Sequence, residues 1–410
     1  MTSERDRYKW FALLLIWCAV FLQQGVRQVY GATLPSVAET LGVTSIQIGL
    51  VGTVFTFVYG VTVISAGYVS DWLSRKWVLS AGVLLFAIGG CLSGFASGVG
   101  ALVLSYGILN GLGQPLVFPP GMSLLMQLHG EETRATALSV LQSAMYVGII
   151  ACAVGSGWLA DQGEWGWRNA YIILGALGVL LAVVLCFWMK DTRPAGASVE
   201  KVNLMEALRA IVGKPSAVLY GVYLILLNFV TIGFMVWTPA FVKDAFPDLP
   251  LRTAVFHSIV WMYLGAIVGV IAGGRLGDRL AVSRKEARLE ILALGVLCSG
   301  LAWFCVSASH SLVFCGIALS FAGFSRGILD SNLNVSFFDV IRPRYHSSAL
   351  GFMLGLSFVF GSLAPFMLGW MREAYSLRIG IRTFPLFYGL ALVFILWSRF
   401  SFYMKDREAF

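Results

Sequence analysis

The sequence predicts an all-α membrane protein, with twelve transmembrane helices in two pseudo-symmetric six-helix bundles. Three observations carry that prediction. The 410-residue chain is 58% hydrophobic and only 12% charged, with a mean hydropathy of +0.80. A soluble fold of this length cannot hide so much apolar surface, whereas a bilayer absorbs it. Apolar runs long enough to cross about 30 Å of hydrocarbon recur twelve times. A short loop built on Gly and Asp occurs twice, half a chain apart.

In chain order the predicted spans are 10–33, 46–69, 77–97, 100–127, 135–160, 169–189, 216–242, 255–276, 288–307, 311–338, 349–371 and 384–403. The longest interruption, KDTRPAGASVEKVNLMEALRAIVGKPS, divides them six and six. The expected organisation is an N-terminal bundle over 1–189, a cytoplasmic linker over 190–215 and a C-terminal bundle over 216–410. Within the linker, NLMEALRAIVG has helical periodicity and is expected at the membrane interface. With both termini cytoplasmic, 21 of the 29 Lys and Arg fall on the cytoplasmic side and six on the other. That asymmetry sets the orientation. The remaining two, Arg27 and Arg326, lie inside spans.

Composition also excludes several function classes. The net charge of +8 is scattered over short loops, so no stripe for nucleic acid forms. All seven cysteines sit in apolar runs without CxxC spacing and read as small hydrophobes. The four His are dispersed, and no nucleotide loop, metal-ligand cluster or nucleophile–base constellation is present. No cofactor, metal or enzymatic activity is therefore expected. The first apolar segment is too long for a signal peptide and lacks a small-residue cleavage site.

The repeated loop reads GYVSDWLSRKWVL (67–79) after the second span and GGRLGDRLAVSRK (273–285) after the eighth. Each copy places Gly four residues before Asp, with a basic pair downstream, and Asp71 and Asp278 are 207 residues apart. Upstream, the first and seventh spans end in Thr-Leu-Pro35 and Trp-Thr-Pro239. Together these features resemble the major facilitator superfamily, whose G-x-x-x-D-(R/K)-x-G-R-(R/K) loop follows helices 2 and 8. In that family the loop holds the outward-facing state closed on the cytoplasmic side. The resemblance thus implies a conformational role for Gly67, Asp71, Arg75, Lys76, Gly274, Asp278 and Arg279. The first copy departs from the pattern with Trp72 and Ser74, and the second has an irregular tail. The physical role stands without the family: an Asp at a helix end accepts bonds from helix N-termini and from Arg. The alternative is an ordinary solvated turn.

The fifth span carries Gly148, Gly155 and Gly157, which suit close helix packing. The fourth is broken by LNGLGQPLVFPPG, tolerable where backbone faces protein or a water-filled cavity.

Arg27, Arg326 and Asp330 are the costly residues, each at roughly 2.5–3.5 kcal/mol near a helix centre. The resemblance places helices 1, 4, 7 and 10 around a central cavity, with one of these arginines in each half. Two such cations would grip an anion from both sides of an alternating-access site. Arg suits this role because its planar fork binds carboxylate or phosphate bidentately and stays charged. Two plainer readings stand beside it: Arg326 pairs with Asp330 one turn along the helix, and Arg27 snorkels to the interface. The other candidate substrate contacts are Gln23, Tyr30, Gln142, Tyr146, Asn228 and Asn332, although polar residues also bond helices together. Trp261 and Tyr263 read as packing. Asp330, the only carboxylate placed well inside a span, is the proton-coupling candidate.

Helix 1 (Arg27 to Pro35), helix 7 (NFVTIGFMVWTPAFV) and the stretch SNLNVSFFDVIRPRYHSSALG resemble the anion:cation symporter and organophosphate antiporter branches. QQGVRQVYGATLP also resembles bacterial monocarboxylate transporters. The chain departs from the proton-coupled symporters at Val26 and Gln114, from the antiporters at Thr231, and from the monocarboxylate carriers in its uncharged helix 8. The resemblance implies a monomeric secondary transporter of a small organic anion (sugar acid, monocarboxylate or sugar phosphate) in a bacterial inner membrane. A co-transported proton or cation is left open. The alternatives are a carrier of neutral sugars or amphipathic drugs, and a transporter-like ligand sensor.

Overall fold

The computed structural model describes residues 2–163, 165–190, 204–284 and 286–408. The side chains of residues 67–72, and with them Gly67 and Asp71 of the first loop copy, lie outside the described residues, as does 191–203 of the linker. Among the described residues all regular structure is helical. Twelve helices are long and apolar enough to cross a membrane. In the first half they are α1 (Arg7–Leu41), α2 (Ser45–Ala66), α3 (Arg75–Gly94), α4 (Val99–Leu128), α5 (Glu132–Ala160) and α6 (Gly166–Trp188). In the second they are α7 (Pro215–Ala245), α8 (Leu251–Val282), α9 (Ala287–Ala308), α10 (Leu312–Phe338), α11 (Ser348–Ala374) and α12 (Leu377–Arg407).

Each expected span has its helix, but α1 and α7 run on past Pro35 and Pro239, where the sequence suggested an end. A proline inside a helix strips the carbonyl four residues back of its bond, here at Gly31 and Met235. Membrane helices tolerate this where neighbouring helices cover the freed groups. Those two positions face each other: a Cβ on Gly31 would collide with the Met235 carbonyl. In α4 a wide π turn over Val103–Asn110 is followed by a tight 3-10 turn at Gln114–Leu116. The glycines around this break let α3 and α4 touch, because a Cβ on Gly113 would come within 2.6 Å of the Phe86 nitrogen.

Within the halves the principal pairings are α1 with α5, α3 with α6 and α3 with α4, then α8 with α10 and α9 with α10. Across the halves, α1 meets α7, α2 meets α11 and α5 meets α8. The internal repeat recurs in the bonding. Arg168, opening α6, donates to the Gly94 and Ala96 carbonyls beyond α3 at 3.0 and 2.7 Å. Arg378, opening α12, donates to the Ser307 and Ser309 carbonyls at the end of α9 at 3.1 and 2.9 Å. Both satisfy carbonyls that a helix end leaves orphaned.

The tightest contact joins α8 to α10 through a ladder of glycines. Gly265, Gly269, Gly273 and Gly277 recur every fourth residue of α8, against the Ser320 and Phe324 carbonyls, Ile328 and Asn332 of α10. Gly323 and Gly327 of α10 meet the Met262 and Ala266 carbonyls in return. A methyl group at any of these six positions would overlap its neighbour; at five of them backbone packs on backbone, and Gly277 makes room for the Asn332 amide.

The halves close at the face opposite the termini. Gly157 lies against Val255, Gly49 against Pro365, and Gly369 against the Ser45 carbonyl. Two carboxylates cap helix N-termini across the same seam. Asp161, after α5, accepts the Leu251 and Arg252 N–H groups of α8, both at 3.0 Å. Glu373 of α11 accepts the Ile46 N–H of α2 at 2.9 Å. At the face carrying the termini, a short helix (Leu204–Val212) lies where the linker periodicity suggested one. Between α4 and α5, His129 bonds Thr133 Oγ1 at 3.1 Å and the Lys9 carbonyl at 3.3 Å. Its burial pulls the imidazole below its ordinary pKa; the Lys9 carbonyl opposes this and the Lys9 charge adds to it.

Candidate substrate site

Arg27 and Arg326 stand at one depth. Arg27 precedes Leu41, the end of α1 at the closed face, by 14 residues, and Arg326 follows Leu312, the start of α10 at that face, by 14. At about 1.5 Å per residue each is about 21 Å in. Helix α7 runs between them. Its Ile232, Met235 and Val236 line a small cavity of about 20 Å³ beside Arg27, while Thr231 accepts a hydrogen bond from the Arg326 guanidinium.

The two arginines differ in their partners. Arg326 Nε donates to Asp330 Oδ1 at 2.8 Å, with the side chains 17% and 44% exposed respectively. Asp330 lies within electrostatic reach of Tyr146 in the other half, so its open side faces the space between the halves, which the contacts at the opposite face close on that side. Arg27 has no hydrogen-bond or ion-pair acceptor for its guanidinium among the described residues. It is instead surrounded by aromatic rings: Tyr59 at 5.1 Å, Phe358 at 5.7 Å and Phe55 at 5.8 Å. Such faces attract a cation but leave its donors unused, which is costly away from bulk water. Tyr263 of α8 lies within electrostatic reach of Arg27, Arg326, Asp330 and Tyr146, and its ring is 6.4 Å from that of Tyr146. Side chains of α1, α2, α5, α7, α8, α10 and α11 therefore converge on one chamber.

The model of the Major Facilitator Superfamily matches residues 16–365. The chain belongs to that superfamily. It is 23% identical over 364 residues to the probable galactarate/D-glucarate transporter GudP of Escherichia coli (strain K12), covering 80% of this chain and 79% of that protein. It is 26% identical to the probable sulfoacetate transporter SauU of Cupriavidus necator, covering 83% and 81%. Among solved structures, a bacterial homolog of the human lysosomal transporter Spinster, in its inward-facing and unoccupied conformation, superposes with a TM-score of 0.83. There the sequence identity is 19% and 98% of each chain is covered. This likeness speaks for the fold.

Not every residue singled out from the major facilitator sequence reaches the chamber. Gln23 is buried and donates to the Gln114 carbonyl at 2.6 Å. Tyr30 lines the small cavity, but its hydroxyl donates to the Ile48 carbonyl while its ring stacks on Tyr106 at 4.4 Å. Asn228 bonds Ser357 at 2.6 Å and ties α7 to α11. Asn332 bonds the Gly273 carbonyl at 3.0 Å and ties α10 to α8. Gln142 is exposed on α5. Tyr146 and Asp330 are at the chamber, with Tyr263, which the sequence suggested was packing.

In the second loop copy, Asp278 pairs with Arg288 at 3.1 Å and Arg279 is exposed. Gly274 has ample space, a Cβ there meeting only Ser331 at 3.9 Å, and the close approach falls to Gly273 and Gly277. In the first copy, Arg75 is partly buried and Lys76 lies 5.0 Å over the Trp77 ring. Of the fifth-helix glycines, Gly148 and Gly157 make close contacts and Gly155 makes none. A larger cavity of about 390 Å³, lined by Glu206, Arg209, Lys214 and Arg342, lies at the terminal face, away from the chamber.

Proposed function

We propose that the chain is a secondary active transporter that carries a small organic anion by alternating access, with Arg27 receiving the anion. The observation that carries this reading is a guanidinium at mid-membrane depth, held by three ring faces and lacking an acceptor. An anion in the chamber would supply the missing acceptor through a bidentate pair. Relatives named for galactarate, glucarate and sulfoacetate, each with two acidic groups, support organic anions as the class but not the charge this chain takes.

The bundles 1–189 and 216–410 are the two rocking bodies, joined by 190–215. The excess of Lys and Arg on the terminal side supports cytoplasmic termini in a bacterial inner membrane, which makes the described state inward-open. The loops at Asp71 and Asp278 then belong to the cytoplasmic gate. The working unit is the monomer, since each chain holds a full chamber.

The test is thermal unfolding of purified protein against a panel of carboxylates, sugar acids and sugar phosphates. Anions of at least one class are expected to raise the midpoint. Arg27→Ala should weaken that binding ~10- to 100-fold, the scale of a hydrogen bond to a charged group of ~1.5–3 kcal/mol. Stabilisation by every active anion that survives Arg27→Ala would remove Arg27 from the site.

A further inference from the structure

We infer that the chamber offers one net positive charge and so selects monoanions over dianions, with Asp330 as the residue that fixes that count. This rests on the anion-carrier reading above and adds to it the charge of the solute.

Three formal charges face the chamber at mid-membrane depth among the described residues: Arg27, Arg326 and Asp330. Two of them are already spent on each other. Asp330 Oδ1 is 2.8 Å from Arg326 Nε, and a second nitrogen of the same guanidinium donates to Thr231 Oγ1. Two of the three guanidinium nitrogens of Arg326 are therefore engaged, and its charge is matched by Asp330, before any solute arrives. Exposure reinforces the point, since the Asp330 side chain is 44% exposed and that of Arg326 only 17%. Of the pair, the carboxylate is the group more open to a solute. Among the described residues, the hydroxyls of Tyr146, Tyr220, Tyr263 and Tyr388 also lie within electrostatic reach of the pair and add no formal charge.

Arg27 is then the single cation available, and one carboxylate or sulfonate completes it. A second negative group on the same solute would reach toward α10 and meet Asp330, and like charges so placed are strongly disfavoured. The geometry thus supplies attraction for the first charge and repulsion for the second, the two elements a selective site needs.

The experiment measures affinities for matched pairs that differ by one carboxylate, such as gluconate against glucarate and lactate against tartronate. The proteins are wild type, Asp330→Asn and Asp330→Glu. Wild type is expected to prefer the monoanion of each pair by tenfold or more. Asp330→Asn should shift that ratio at least tenfold toward the dianion, and Asp330→Glu should keep the wild-type preference. Equal wild-type affinities within each pair, or an unchanged ratio in Asp330→Asn, would overturn the inference while leaving Arg27-dependent anion binding intact. If no anion of either charge binds any of the three proteins, the anion-carrier reading falls and this one with it. Equal loss of binding in the Asn and Glu variants would show a structural role for Asp330 and also overturn it.

Discussion

Gly31 of α1 lies directly against the Met235 carbonyl of α7, and each of these residues stands four positions before a proline. The two halves thus meet where each has the same local break, at the level of the small cavity beside Arg27. No side chain separates the backbones at this point, so closure depends on a missing methyl group.

Gly31→Val should hold the α1–α7 seam apart without unfolding either half. In a background lacking the seven native cysteines, a reporter cysteine at Ile232, which is buried beside Arg27, should then react with a membrane-impermeant maleimide added from the closed face. Reactivity equal to that of the Gly31 parent would show that the seam does not govern closure.

Asp161 and Glu373 cap helix N-termini across the halves at the closed face. Caps of this kind contribute about 0.5–2 kcal/mol each. The double variant Asp161→Ala, Glu373→Ala should therefore shift the balance toward opening at that face, by about tenfold if the caps together contribute near 1.4 kcal/mol. Distances between spin labels on α1 and α7 at that face would report it. A distribution identical to wild type would leave these carboxylates as local caps only.

Asp330 is the carboxylate through which a co-transported proton would act, since protonation would release Arg326 from its counter-ion. Uptake of the transported anion by Asp330→Asn should no longer respond to an imposed pH gradient. Retention of the full wild-type response would move proton coupling elsewhere.

His129 is buried where its charged form is disfavoured, so its pKa in the folded protein lies below its value in the unfolded chain. A depressed value means that the unfolded chain takes up the proton first. The stability contributed by the neutral ring is present above the ordinary imidazole value of about 6.5 and is lost as pH falls through and below it. Wild type should lose more thermal stability between pH 7.5 and 5.5 than His129→Asn does. Parallel losses would assign the pH sensitivity to other groups.

The twelve spans, the duplicated Gly–Asp motif and the two arginines inside spans were readable because hydropathy and charge are properties of composition along the chain. Which side of a helix a residue faces is not. Gln23, Asn228 and Asn332 look as well placed as Arg27 in a list of polar residues, yet each turns into a helix seam and finds a partner there. The rotation per residue is about 100°, so an error of one position in the register sends a side chain from cavity to seam. Phe55, Tyr59 and Phe358 were invisible for another reason: aromatic residues in an apolar helix look alike whether they meet lipid or a guanidinium. The α8 ladder did leave a trace, glycine at every fourth position from 265 to 277. It was masked by the adjacent loop motif, which drew attention to Gly274 instead.

Because α8 and α10 touch through glycine and main chain, they behave as a single beam with no slack between its members. The Arg326–Asp330 pair sits midway along that beam and Asp278, in the last turns of α8, near its end, so a displacement of one is carried to the other. The give that rocking demands has to come from elsewhere. It is available in α4, whose coil is wound too wide and then too tight, and in α11, whose helix is interrupted between Gly361 and Leu363.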